Sequence, residues 1–225
     1  MKKRILSLSL SLIAGAGLLA SGASHAQLNL QQFGIGGGGN AANSAAPSSG
    51  GVTQLLQNYV GANQQVLSGQ SSLASAMGLG SAAGQAQQAA GLLSGGVPSA
   101  STLSQVGSTQ QSLSQTLTQA FAGGASSSTP VNKQAFTDGL SSLGKGVSQY
   151  SSLQSGLGSV GQMSPSSLLQ SGLNPQTAQA ASYIAQSAPG QLQSLMSTLS
   201  AAVQFASSHG ISVPSIATSA LKGVQ

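Results

Sequence analysis

An all-α fold, an irregular bundle of four to six amphipathic helices with a disordered N-terminal arm, is the class this sequence predicts. Three observations carry it. Apolar residues recur at three- and four-residue spacing from Val52 onward, glycines and Asn/Ser-Pro pairs punctuate that pattern, and nothing alternates with period two for long enough to argue a sheet. No repeat of fixed period is present. The domain reading is a signal peptide over 1–26, a flexible Gly/Ser/Asn-rich arm over 27–51 and a single helical domain over 52–225.

The chain opens with the basic run Met1-Lys2-Lys3-Arg4, an apolar stretch from Ile5 to Ala20, and Ser24-His25-Ala26. Small residues at the minus-three and minus-one positions predict cleavage before Gln27 and an exported, periplasmic or secreted product. The apolar stretch is short for a membrane span of about 20 residues. Residues 27–51 contain Gly36-Gly37-Gly38-Gly39 with no Lys-Ser/Thr pair after it, so a linker is expected rather than a phosphate cradle.

The first helix carries Val52, Leu55, Leu56, Tyr59, Val66, Leu73 and Met77, with Gly78 to stop it. A second runs from Ser81 to about Leu93 on alanine propensity and ends at Gly95-Gly96. Ser101 is placed to cap a third, whose stripe is Leu103, Val106, Leu113, Leu117 and Phe121 before Gly123-Gly124. Asn132 caps the longest stripe, Phe136, Leu140, Leu143, Val147, Tyr150, Leu153, Leu157 and Val160. Glycines at 139, 144, 146, 156, 158 and 161 oppose that stripe and would cost about 6 kcal/mol if all were helical. Close helix packing is expected at the first three, and fraying near Gly156 at the last three.

Ser164-Pro165 and Asn174-Pro175 each set a capping side chain before a proline at the first helical position. Pro189 predicts a fresh helix start, carrying Leu192, Leu195, Met196, Leu199, Val203 and Phe205 to a stop at His209-Gly210. Ile211 to Val213 is extended ahead of Pro214, and a last helix runs from Pro214 to Leu221. The expected core is Leu55, Tyr59, Leu113, Phe121, Phe136, Leu143, Val147, Tyr150, Leu195, Leu199 and Val203.

Only 3% of the chain is charged, against about 25% in an ordinary domain. Beyond residue 26 the acidic and basic side chains are Lys133, Asp138, Lys145 and Lys222, with His209 the one histidine. That balance of +2 holds no basic cluster, which argues against nucleic acid as a partner. There is no cysteine, hence no disulfide. One carboxylate cannot supply the pair a glycosidase uses, and Asp138 with His209 are too few ligands for a metal site. No catalytic, cofactor-binding or metal residue is assigned. A hydrolase built from Asp138, His209 and a serine lacks a Gly-x-Ser-x-Gly elbow, so His209 is expected to cap a helix C-terminus instead. Gly80-xxx-Gly84 and Gly91-xxx-Gly95 fit small-residue packing in lipid, yet no segment after residue 26 approaches 18 continuous apolar residues. Stable membrane insertion is not expected.

The segments Phe136 to Leu153 (FTDGLSSLGKGVSQYSSL) and Leu195 to Leu221 (LMSTLSAAVQFASSHGISVPSIATSAL) resemble uncharacterised periplasmic helical proteins of Gram-negative bacteria. The resemblance implies an all-helical exported domain and brings no catalytic residue or ligand. The expected function is a non-catalytic binding or scaffold protein of the cell envelope that meets a protein or envelope partner, with homo-oligomerisation open. The alternative is a self-assembling, low-charge surface or matrix protein. Scarce carboxylates fit tolerance of acid, and they fit compositional drift toward Ser, Gly and Gln as well.

Overall fold

The structure, a computed structural model, describes residues 49–124, 131–163, 165–170 and 172–223. The chain divides into compact units 1–37 and 38–225, and all the described residues belong to the second. The expected signal peptide, the Gly36–Gly39 run and the Ser164 cap lie outside the described residues.

The described residues form seven helices and no strand: α1 (Ser49–Ala76), α2 (Gly80–Leu92), α3 (Ala100–Ala122), α4 (Lys133–Gly161), α5 (Pro165–Gln170), α6 (Pro175–Ser208) and α7 (Ser215–Lys222). The fold is all-α. Positive φ occurs among the described residues only at Gly78, Gly96, Gly124, Gly172 and Gly210, each in a connection that follows a helix. At Gly78 the backbone closes a two-bond stop, with Leu79 N–H on Ala74 O at 2.8 Å and Gly78 N–H on Ser75 O at 3.1 Å. Asn132 Oδ1 accepts from Ala135 N–H at 3.1 Å and Asn174 Oδ1 from Thr177 N–H at 2.8 Å, so both asparagines cap as expected.

Helix directions follow from paired residues. Leu73 meets Gly139, Val66 meets Gly146 and Tyr59 meets Tyr150, so α1 and α4 are antiparallel. Ser71 reaches Ala83 while Gln64 reaches Leu93, which runs α2 antiparallel to α1. Leu103 meets Tyr183 and Phe121 meets Phe205, so α3 and α6 are parallel. Tyr150 with Gln191 and Phe136 with Phe205 set α4 antiparallel to α6. The long helices alternate up and down in sequence order and close a ring, α1 to α4 to α6 to α3 to α2, with α1 touching the other four.

The stripes read from sequence are the core. Every residue of the expected core is buried except Val203, which is half-buried at the margin while Phe205 turns inward. Phe121, Phe136 and Phe205 meet with ring centroids 5.3 to 5.7 Å apart and join α3, α4 and α6 at one end. The first glycines of α4 are packing positions. A Cβ on Gly139 would stand 2.9 Å from Leu73 N, one on Gly146 3.0 Å from Val66 N, and one on Gly144 2.8 Å from Ala217 Cα of α7. Their cost in helix propensity is offset by the approach of neighbouring backbones and the burial it permits.

Four expectations are corrected. Helix α1 begins at Ser49, so residues 49–51, assigned to the arm, are its first turn. Ser99 rather than Ser101 caps α3: its Oγ accepts from Thr102 N–H at 3.1 Å, because the chain leaves the extended conformation of Ser99 and turns helical at Ala100, two residues before a Ser101 cap would start it. Helix α4 does not break near Gly156 but continues to Gly161, since Leu153, Leu157 and Val160 stay buried along its last turns. Pro189 starts no new helix and sits inside the 34-residue α6. A proline removes one N–H and crowds the carbonyl four residues back, yet Ala188, Leu192 and Leu195 are all buried and hold the helix on one course.

Candidate functional site

Gln191, two residues beyond Pro189, is a hub for all three tyrosines of the chain. Its Oε1 accepts from the hydroxyl of Tyr59 at 2.7 Å and from that of Tyr150 at 2.9 Å. Its Nε2 faces the Tyr183 hydroxyl at a long 3.5 Å, and that hydroxyl donates to Leu103 O at 3.3 Å. Gly107 of α3 makes this convergence sterically feasible, because a Cβ there would lie 2.6 Å from Gln191 Nε2 and 2.8 Å from the Tyr183 oxygen. Burial pushes the Tyr59 hydroxyl pKa up, against weaker opposing hydrogen bonds. Tyr150 is pushed further, by burial first and then by its neighbour Tyr59. Both stay protonated donors at neutral pH.

A second polar layer lies beside the hub. Gln70 Nε2 donates to Gln110 O at 3.3 Å and to Ser114 Oγ at 3.0 Å, and Asn63 Nδ2 donates to Tyr59 O at 2.8 Å. Gln110 is 2% exposed, and neither its Oε1 nor its Nε2 has a hydrogen-bond partner. Gln70 Oε1 and Asn63 Oδ1 are unpaired as well. Each unsatisfied buried polar group costs about 1 to 3 kcal/mol.

Above these layers, α3 and α6 part to leave a cleft of about 390 Å³ with Gly107, Gln110, Tyr183, Ser187 and Gln191 among its walls. It runs into a shallower groove of about 510 Å³ between the same helices, and the two share Ser114, Gly190 and Ser194. Every lining side chain is uncharged, and most carry an amide or a hydroxyl. Ser187 Oγ donates to Tyr183 O at 2.8 Å and Ser108 Oγ to Ser104 O at 3.0 Å, which leaves their lone pairs as acceptors. A serine nucleophile needs a base within hydrogen-bond reach, and none of these side chains is one. The cleft lining offers hydrogen-bond donors and acceptors and no acidic or basic side chain.

The residues weighed from sequence lie outside the cleft. Asp138 Oδ1 accepts from Gln134 Nε2 at 3.1 Å on the exposed face of α4. His209 ends α6: its Nδ1 lies 2.9 Å from Phe205 O and its ring stacks on Phe205 at 4.0 Å. Lys133 Nζ donates to Gly210 O at 3.3 Å and Thr137 Oγ1 to Ser212 O at 3.1 Å, so this end of α4 ties down the segment between α6 and α7. Gly80, Gly84, Gly91 and Gly95 have open space where a Cβ would be. Among the described residues no helix is long and apolar enough to cross a membrane.

The signal for the cleft was present in the sequence as interruptions of apolar stripes. Gln110 takes the position between Val106 and Leu113 where α3 should turn an apolar side chain inward, and Asn63 and Gln70 do the same between Tyr59 and Leu73. Gln191 was not legible, because its role depends on tyrosines 132 and 41 residues away. No family model, curated relative or solved structure matches the chain.

Proposed function

We propose that this chain is an exported, non-catalytic helical binding or scaffold protein of the bacterial cell envelope, using the cleft between α3 and α6 to meet its partner. The observation that carries the reading is the uncharged cleft with the unpaired amide of Gln110 beneath it. Buried polar groups in native proteins are nearly always paired, so an amide that forgoes partners beside an open cleft suits recognition better than stability. The leader-like start and the resemblance to periplasmic helical proteins support export. Scarce carboxylates support service in acid.

A second reading, self-assembly into a surface layer or matrix, is favoured by the exposed side chains of Leu92, Val97 and Leu169 together with the low charge. Expression of the full chain in a Gram-negative host, fractionation, N-terminal sequencing and sedimentation of the recovered protein test both. An exported product beginning at Gln27 that sediments as a discrete monomer or dimer supports the binding protein. Filaments or large assemblies that persist at all salt concentrations favour the matrix, and retention in the cytoplasm sinks the envelope role.

A further inference from the structure

Resting on the reading of the cleft as a binding site, we infer that its ligand is an uncharged, hydroxyl-rich saccharide chain. The absence of charge from the walls leaves an ionised ligand without a counter-ion on desolvation. A peptide held by side-chain anchors would need apolar sockets, but the cleft's large apolar side chain, Leu195, is 1% exposed and already spent on the core. Saccharide hydroxyls both donate and accept, and so do the amides and hydroxyls of Gln111, Gln186, Ser187 and Ser194 that meet them. Such a ligand replaces the hydrogen bonds of the water it displaces, which is the condition for binding in a polar cleft without loss. The cleft and groove share a wall, so the site is elongated and suits several linked rings.

Two residues break the rules of their own surroundings at this site. Gly190 lies within α6 directly after Pro189, the poorest pair of helix formers side by side, and neither packing nor a positive φ requires it, because a Cβ there meets nothing within 4 Å. What its missing side chain does is leave the junction of cleft and groove open. Gln110 lines the cleft with an amide kept just below the surface and unpaired. A ligand that draws this amide outward gives it the partners it lacks.

The test is titration calorimetry of the full chain with maltohexaose, cellohexaose and chitohexaose, a charged oligogalacturonate and a neutral Ser/Gln-rich peptide as controls, and two variants. At least one neutral hexasaccharide is expected to bind with a Kd of about 1 mM or tighter, and more tightly than its trisaccharide. Gly190→Gln fills open space with a better helix former, so its thermal midpoint should stay level or rise while affinity falls about tenfold or more. Gln110→Met removes an unpaired buried amide at similar volume. Its midpoint should rise by about 2 to 6 °C while affinity falls about fivefold or more. A purely structural glutamine would not move the two measurements in opposite directions.

Retention of an insoluble polymer of the same sugar, with weak binding of the free hexamer, assigns the site to an envelope glycan; equal binding of both assigns it to soluble oligosaccharide. Preference for the charged sugar or the peptide overturns the ligand class, as does failure of all three neutral sugars. If that failure comes from a discrete exported monomer, the binding-protein reading survives it. If it comes from large assemblies, the underlying reading falls too.

Discussion

Tyr59 of α1 and Tyr150 of α4 meet edge to face, ring centroids 5.4 Å apart, and their hydroxyls donate to the same oxygen of Gln191 on α6. Three long helices are thereby pinned at one buried point. The pin is polar, so it is directional in a way that the surrounding leucines are not, and it selects the rotation of α6 that faces the cleft.

Removing the shared acceptor should therefore cost more than removing either donor. Gln191→Leu leaves two buried hydroxyls unpaired and is expected to destabilise the protein by about 2 to 5 kcal/mol. Tyr59→Phe and Tyr150→Phe should each cost about 1 kcal/mol, and a double-mutant cycle should show them coupled. Chemical denaturation measures all three, and a near-neutral Gln191→Leu would contradict the pin.

Alkali probes the same residues. Both tyrosines have folded pKa values above the ordinary value of about 10. In the unfolded chain they ionise first, so the stability that burial of the neutral phenols carries is intact below pH 10 and is lost as the pH rises toward the folded pKa values. Unfolding midpoints should be flat from pH 7 to about 10 and fall beyond it. The Tyr59→Phe/Tyr150→Phe double variant should fall less steeply over that window.

Alanine should act with opposite signs along one helix. At Gly139 and Gly146 a Cβ runs into the backbone of α1 at 2.9 and 3.0 Å, and substitution should cost about 2 kcal/mol or more despite better helix propensity. At Gly158, where nothing lies within 4 Å, alanine should stabilise by about 0.5 to 1 kcal/mol. Thermal melts of the three variants test this, and uniform stabilisation would mean that the α1 and α4 backbones are not in contact.

Acid should do little to the helices. Asp138 is exposed and bonded to Gln134, and it is the one acidic side chain in the sequence. Few groups therefore take up protons on acidification, and little repulsion builds among Lys133, Lys145, Lys222 and His209. Helicity followed by circular dichroism should persist from pH 7 to pH 2. A cooperative loss between pH 4 and pH 2 would remove the argument for service in acid.

The helix class, most of the ends and nearly all of the core were legible in the residues themselves, because those features are local. Asn132 and Asn174 cap within three residues, Gly78 and Gly210 stop helices through their own backbone, and the stripe from Phe136 to Val160 is buried as its spacing implies. The sequence also ruled on charge, since no fold can supply carboxylates that the chain lacks.

Tertiary structure decided the rest. Local chemistry at Pro189 argues for a break, and only packing against α3 and α4 carries α6 through it, so that Gln191 arrives where Tyr59 and Tyr150 can bind it. Likewise Gly139 and Gly158 both lie inside α4, the second without the fraying its surroundings suggested, and the nearness of another backbone separates a contact from an open surface. The cleft exists for the same reason: it is the space between two helices, and spacing within either one does not reveal how far apart the two will stand.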